Sequence, residues 1–344
     1  VKGWGFDMDV SSRYHRLETA VYPWFEPQWA RVRKLFDNGK LPHALIINGV
    51  KGTGKLHFAG SVAQLVLCHD QQPTGACLKC RSCQLFGSSG HPDLYHLAPQ
   101  EGVEQIKVDQ VRNLSEFMQS TAQQGGYRVV ILDPAEAMNL SAANALLKTL
   151  EEPGNNSLLL LLSNQLGQVM PTIKSRCQRI DCPLPERSVA VPWLMQQLSL
   201  EHNTASQLLS VVHGAPLLGL SFKEGGEQSL RAEFFVSLKS ILQGKTTAIT
   251  QAPLYAKKDI KLLLSWLYSL LVDVTKVQIV GEQCELVNND MAKMLSALAK
   301  RAAIKEVYAL ADKVQNQRNA LLAHQNPNKQ LLLEELFIDW KKLI

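Results

Sequence analysis

The stretch Ala44-Leu45-Ile46-Ile47-Asn48-Gly49-Val50-Lys51-Gly52-Thr53-Gly54-Lys55-Leu56 runs from a short apolar strand, Ala44 to Ile47, into a glycine-rich turn and then toward a helix predicted through Gly60 to Leu67. A turn in that place cradles phosphate. Glycines let successive backbone N–H groups point inward, the helix N-terminus favours an anion, and a lysine adds a point charge. Gly49, Gly52, Gly54 and Lys55 supply those parts. The full pattern also sets Ser or Thr after the lysine, so that a hydroxyl ligates magnesium. Here that position is Leu56, which has no ligand to offer. A plain strand-to-helix turn would look similar, but Gly49, Gly54 and Lys55 together favour the phosphate loop.

An ATPase needs a second part, an acidic pair after a buried strand that holds magnesium and orients water. Val129-Val130-Ile131-Leu132-Asp133 supplies the strand and one aspartate, and Pro134 follows it with no carboxylate. Glu136 is not expected to substitute. Nucleotide binding is left open by this pattern and hydrolysis is not expected. Ala44–Ile47, Arg128–Leu132 and Leu158–Leu162 are continuous apolar runs separated by helical stretches, which predicts a parallel sheet covered on both faces. One such helix is predicted from Ser141 as N-cap to Glu152, ending before Pro153, with Ala142, Ala145, Leu146 and Leu150 facing inward.

Past Pro183 and Pro185 only helical periodicity remains, with Gly225-Gly226 read as a linker. Trp266 and Trp340 lie on amphipathic stretches and read as core or interface residues. The expected organisation is an extension over 1–20 that need not be native, an α/β domain over 21–184 with an insertion at 68–83, a small helical domain over 185–225 and a helical domain over 226–344. With 344 residues, 46% of them hydrophobic, the chain can bury a substantial core. A net charge of +5 permits nucleic-acid contact without demanding it. No uninterrupted apolar run nears bilayer length and the first residues lack a signal-peptide core, so a cytoplasmic location without membrane association is expected.

Four of the seven cysteines fall in one segment as Cys68-x8-Cys77-x2-Cys80-x2-Cys83. Cys-x2-Cys spacing lets one turn present two sulfurs to a single ion, and four thiolates leave no open position on it. A structural Zn2+ site is therefore expected rather than a set of unrelated reduced thiols. Cys177, Cys182 and Cys284 stand alone and read as packing residues.

Several further motifs occur together. Ser141-Ala142-Ala143-Asn144-Ala145-Leu146-Leu147-Lys148-Thr149-Leu150-Glu151-Glu152-Pro153 resembles the signature helix of bacterial clamp-loader ATPase subunits, and Ile173-Lys174-Ser175-Arg176-Cys177 is similar to their Ser-Arg-Cys motif. His43-Ala44-Leu45, Ile106 to Arg112 and the cysteine insertion fit as well. The resemblance runs from about Tyr22 to the C-terminus and is strongest through Cys182. The fold class it implies is an α/β AAA+-like P-loop domain with a parallel sheet, a small helical lid domain and an all-α C-terminal collar domain. Within the family, Leu56 and Pro134 separate this chain from the ATP-hydrolysing gamma/tau type. So does His213-Gly214-Ala215-Pro216-Leu217, with leucine where a sensor arginine would lie, and all three features resemble the delta prime type.

The resemblance implies a non-catalytic component of the DNA polymerase III holoenzyme, a DNA-directed DNA polymerase and nucleotidyltransferase. It would act in replication beside gamma/tau and delta clamp-loader subunits and, through the complex, on the beta sliding clamp and primed DNA. Arg176 would be an arginine finger reaching ATP on a neighbour, and Lys107 and Arg112 would face DNA or simply solvent. Two rivals stand beside this. One is an ATP-hydrolysing subunit of gamma/tau type; the other is a DNA-binding module built on the cysteine cluster.

Overall fold

The computed structural model describes residues 21–344 except 89, 101, 102, 104, 323, 324 and 326. The expected extension over 1–20 lies outside the described residues. In chain order the elements are α1 (Glu26–Asp37), β1 (Ala44–Asn48), α2 (Lys55–Leu67), α3 (Arg81–Gly87), β2 (Leu94–Leu97), α4 (Val108–Gln119), β3 (Arg128–Leu132), α5 (Leu140–Glu151), β4 (Ser157–Ser163), α6 (Pro171–Lys174) and β5 (Gln178–Asp181). Helices follow: α7 (Arg187–Leu198), α8 (His202–Val211), α9 (Pro216–Glu224), α10 (Glu227–Leu242), α11 (Ala248–Tyr255), α12 (Ile260–Val280), α13 (Ala292–Arg301), α14 (Ile304–Leu322) and α15 (Lys329–Lys341). The chain forms two compact units. One holds the described residues up to Ala190 together with Ala215–Leu218, and the other holds Val191–Gly214 with Gly219–Ile344.

In the first unit five parallel strands lie in the order β2-β3-β4-β1-β5. The interiors of the central strands, Ala44–Ile47, Val129–Leu132 and Leu158–Leu162, are continuously apolar because each residue there meets a helical layer on one face or the other. Ala44 and Ile46 of β1, Val130 and Leu132 of β3, and Leu159 and Leu161 of β4 pack with Val111, Leu114 and Met118 of α4 and Leu146 and Leu150 of α5. The parallel sheet expected from the three apolar runs is present. Strands β2 and β5 carry no such run, and the sequence did not reveal them. Each pairs with a single neighbour, at an edge of the sheet. Only Leu97 and Ile180 in them are buried, so their polar composition is that of edge strands.

Two boundaries differ from expectation. The helix after the glycine turn begins at Lys55 itself rather than near Gly60. The N-cap of α5 is Asn139, not Ser141: the Asn139 Oδ1 accepts the Ala142 N–H at 2.8 Å, so Ser141 already lies within the first turn. The inward face of that helix is Ala142, Ala143, Leu146, Thr149 and Leu150, with Ala145 only partly buried.

One buried carboxylate ties the sheet to the loop before β3. Asp93 is fully buried and accepts the Gln123 and Gln124 N–H groups, each at 2.7 Å, with the Arg128 guanidinium at 3.8 Å. Removing it orphans two amides and takes the countercharge from buried Arg128, which keeps its bond to the Thr121 carbonyl. Asp93→Ala is expected to destabilise the protein by about 3 kcal/mol, measured as a lowered midpoint in urea.

The second unit is helical throughout its described residues. Phe234 packs at ring-centroid distances of 5.2 Å from Tyr255, 6.0 Å from Phe337 and 6.3 Å from Trp266. Trp340 is fully buried and its indole N–H donates to the Leu238 carbonyl at 3.1 Å, so both tryptophans are core residues. Helix α12 is long and apolar enough to cross a membrane by length and composition alone. Yet 56% of its most apolar stretch is buried against the rest of the protein, and it serves here as a core helix. Gly225 and Gly226 form a two-residue break between α9 and α10.

Candidate functional site

The glycine turn leaves β1 and enters α2 at the carboxyl ends of the central strands, where open α/β sheets place their ligand crevice. Gly49 has no room for a side chain, since a Cβ there would sit 2.1 Å from the Cys182 carbonyl oxygen. Gly52 and Gly54 have φ of 83° and 99°, a backbone region open mainly to glycine. The chain's own residues cover them. Leu218 packs on Gly52, Tyr22 and Leu217 pack on Gly54, and the Leu217 N–H donates to the Gly52 carbonyl at 3.1 Å. Tyr22 stacks on Trp24 at 4.8 Å, and the Trp24 indole N–H donates to the Thr53 carbonyl at 2.9 Å.

Lys55 is buried and its ammonium donates to Val50 O at 2.8 Å and Asn164 Oδ1 at 3.0 Å. Desolvation lowers its pKa below the ordinary lysine value, against the opposing pull of Asp133 and Glu136. For a triphosphate to enter, this arrangement would have to open. Lys55 would have to release both acceptors and the aromatic and leucine cover would have to lift. Leu56 stands next to it with no metal ligand, and Pro134 follows Asp133. Glu136 Oε1 accepts the Asn164 N–H at 2.9 Å, and its buried Oε2 has no hydrogen-bond partner among the described residues. Asn164, which links the lysine to the acidic side of the site, was missed from the sequence. Its signal is a polar residue directly after the long apolar strand β4.

The four sulfurs of Cys68, Cys77, Cys80 and Cys83 lie within 4.8 Å of one another, with Cys68–Cys80 at 3.9 Å and Cys77–Cys83 at 4.0 Å. A tetrahedron of thiolates at the usual zinc–sulfur distance has edges of about 3.8 Å, so the donor set fits a tetrahedral ion. Backbone N–H groups of Cys77, Cys80 and Cys83 point at the cluster's sulfurs at 3.2 to 3.5 Å, stabilising thiolate over thiol. The insertion is tied down behind the four cysteines. Ser82 donates to the Leu67 carbonyl at 2.6 Å and meets His91 Nε2 at 2.8 Å. Cys177 and Cys182 are pushed up to about 12 by burial, in keeping with packing roles.

Arg176 belongs to neither of these clusters. Its guanidinium donates to the Glu151 carboxylate at 2.6 Å and to the Thr172 carbonyl at 3.0 Å, and its side chain is 36% exposed. Lys107 is the residue before α4, and Arg112, one turn in, pairs with Asp109 at 2.9 Å on an exposed face.

The family model described as "DNA polymerase III, delta subunit" matches residues 26–185, and the one described as "DNA polymerase III, delta subunit, C terminal" matches residues 226–342. The DNA polymerase III subunit delta' of Pseudomonas aeruginosa is 36% identical over 324 residues, covering 94% of this chain and 98% of that protein. The subunit delta' of Yersinia pestis is 31% identical over 325 residues, covering 93% and 95%. The Escherichia coli subunit delta' is 29% identical over 318 residues, covering 92% and 94%. A solved gamma subunit-related protein of DNA polymerase III from Thermotoga maritima is similar at a TM-score of 0.40 and 16% identity, over 91% of this chain and 99% of that one. With relatives of this identity matched along nearly their whole length, the chain belongs to the delta' family of DNA polymerase III subunits.

Proposed function

We propose that the chain is a non-hydrolysing clamp-loader subunit. It supplies Arg176 to ATP held by a neighbouring gamma/tau subunit and, with gamma/tau and delta, helps set the beta sliding clamp on primed DNA. The observation that carries this reading is the closed phosphate loop: Lys55 is bonded to Val50 and Asn164, Tyr22, Leu217 and Leu218 cover the glycines, and Leu56 stands where a magnesium ligand belongs. A subunit so built contributes to ATP chemistry only through what it presents to another site. A guanidinium against the transferring phosphoryl group stabilises charge that develops in the transition state, and it acts as well from a neighbouring chain.

The remaining assignments belong to the same reading. Cys68, Cys77, Cys80 and Cys83 hold a structural Zn2+ that fixes the 68–83 insertion. Residues 185–225 act as a lid and 226–344 as a collar that joins the other subunits. Lys107 and Arg112 lie where a basic helix start meets the DNA backbone.

The purified chain is expected to show no ATP turnover with magnesium, and Lys55→Ala is expected to leave that null rate unchanged, in a phosphate-release assay. Turnover that disappears in Lys55→Ala would instead establish an active subunit of gamma/tau type.

A further inference from the structure

The sequence places a carboxylate where the helix dipole disfavours one. Glu151 is the last residue of α5, and the negative end of a helix favours cations there. In the structure the cost is offset by Arg176, held at 2.6 Å. The two side chains are 52% and 36% exposed, so the pair contributes little to stability. What it does contribute is position.

The elements behind the pair are anchored in the core. Leu146 and Leu150 of α5 are buried against the sheet, and Ile173, in the short helix α6, enters the same core cluster. Glu151 and the Thr172 carbonyl therefore grip the guanidinium from two elements that share one anchor. Arginine carries five N–H donors in a planar fork, and two acceptors fix the plane while the remaining donors stay available. A free arginine side chain would instead spread over many rotamers and lose that freedom each time it docked.

We propose that Glu151 is a positioning residue for Arg176, pre-orienting the guanidinium for a phosphate on the neighbouring subunit. This rests on the reading of Arg176 as a finger acting in trans. Glu152, adjacent and equally acidic, forms no ion pair with Arg176 among the described residues and serves as a control for simple loss of charge.

The test uses the complex reconstituted with gamma/tau and delta, assayed for ATP hydrolysis with clamp and primed DNA. Glu151→Ala is expected to lower kcat about fivefold with KM for ATP unchanged. Glu151→Gln, which keeps an acceptor, should fall between it and the parent, and Glu152→Ala should match the parent. In an Arg176→Ala background, Glu151→Ala should cost nothing further. Gel filtration and thermal melting check that each variant assembles and folds. Equal losses in both backgrounds would make Glu151 an independent structural residue and overturn the inference. So would an unchanged kcat for Glu151→Ala beside a clear loss for Arg176→Ala, which leaves the finger reading standing. If Arg176→Ala itself has no effect, both readings fall.

Discussion

Arg176→Ala is expected to lower clamp- and DNA-stimulated ATP hydrolysis of the reconstituted complex by about tenfold or more, while leaving subunit assembly intact. Arginine fingers supplied in trans are worth roughly 10³ to 10⁵ in rate at the site they serve. A loss of that size in the whole complex presupposes that any other ATP sites turn over in step with the one Arg176 serves, since sites working independently would keep their own share of the rate. Assembly should survive because the side chain is surface-exposed and its ion pair is of the kind that contributes about 0–1 kcal/mol. Arg176→Lys should recover only part of the rate, since an ammonium is a point charge and cannot present the planar fork that a phosphoryl group meets. Steady-state rates measured beside gel filtration separate the two effects. A stimulated rate equal to that of the parent complex would remove the proposed role of this residue, whatever the family.

The second large effect concerns the cysteine cluster. The purified protein is expected to carry about one zinc per chain by elemental analysis, and Cys80→Ser to carry close to none. Binding energy at a structural zinc is folding energy, because the ligands are not arranged before the chain folds around the ion. Between Cys68 and Cys83 the chain holds only the first three residues of the short helix α3 and an isolated bridge between Gln72 and Gly75, so little else orders it. Cleavage by a nonspecific protease within 69–82 should therefore rise at least about tenfold in the variant or after chelation. The hydrogen bonds from Ser82 to Leu67 and His91 tie the far side of the loop to α2 and the sheet, so damage should stay local and most of the first unit should melt as before. A protein that holds no metal, or a Cys80→Ser variant as protease-resistant as the parent, would defeat the assignment.

Much of the site was readable from residue order because its parts are local. A glycine turn between strand and helix, a lysine at the helix start and a leucine in the next position are neighbours in the chain, and their chemistry follows from their spacing. The cysteines are similar: short intervals force their sulfurs into one turn, and the structure brings all four within 4.8 Å. Residues that come from elsewhere in the chain were not readable. Tyr22, Leu217 and Leu218 reach the loop from about 30 positions before it and some 160 after it, and nothing in their local pattern marks them as its cover. Asn164 and Glu151 are ordinary polar residues after a strand and at a helix end until Lys55 and Arg176 arrive beside them.

The same division explains the fold. Strands β1, β3 and β4 were visible because a strand buried on both faces carries a continuous apolar run. Strands β2 and β5 were hidden because an edge strand, half covered, has no such requirement. By itself the sequence determined that a glycine turn with leucine after its lysine joins a strand to a helix, that four cysteines share one short segment, and that helices follow the sheet. Only the tertiary structure decided that the loop is closed by its own chain and that a helix-end carboxylate holds Arg176. Those contacts join residues far apart in sequence, and their energy exists only once the core has brought the elements together.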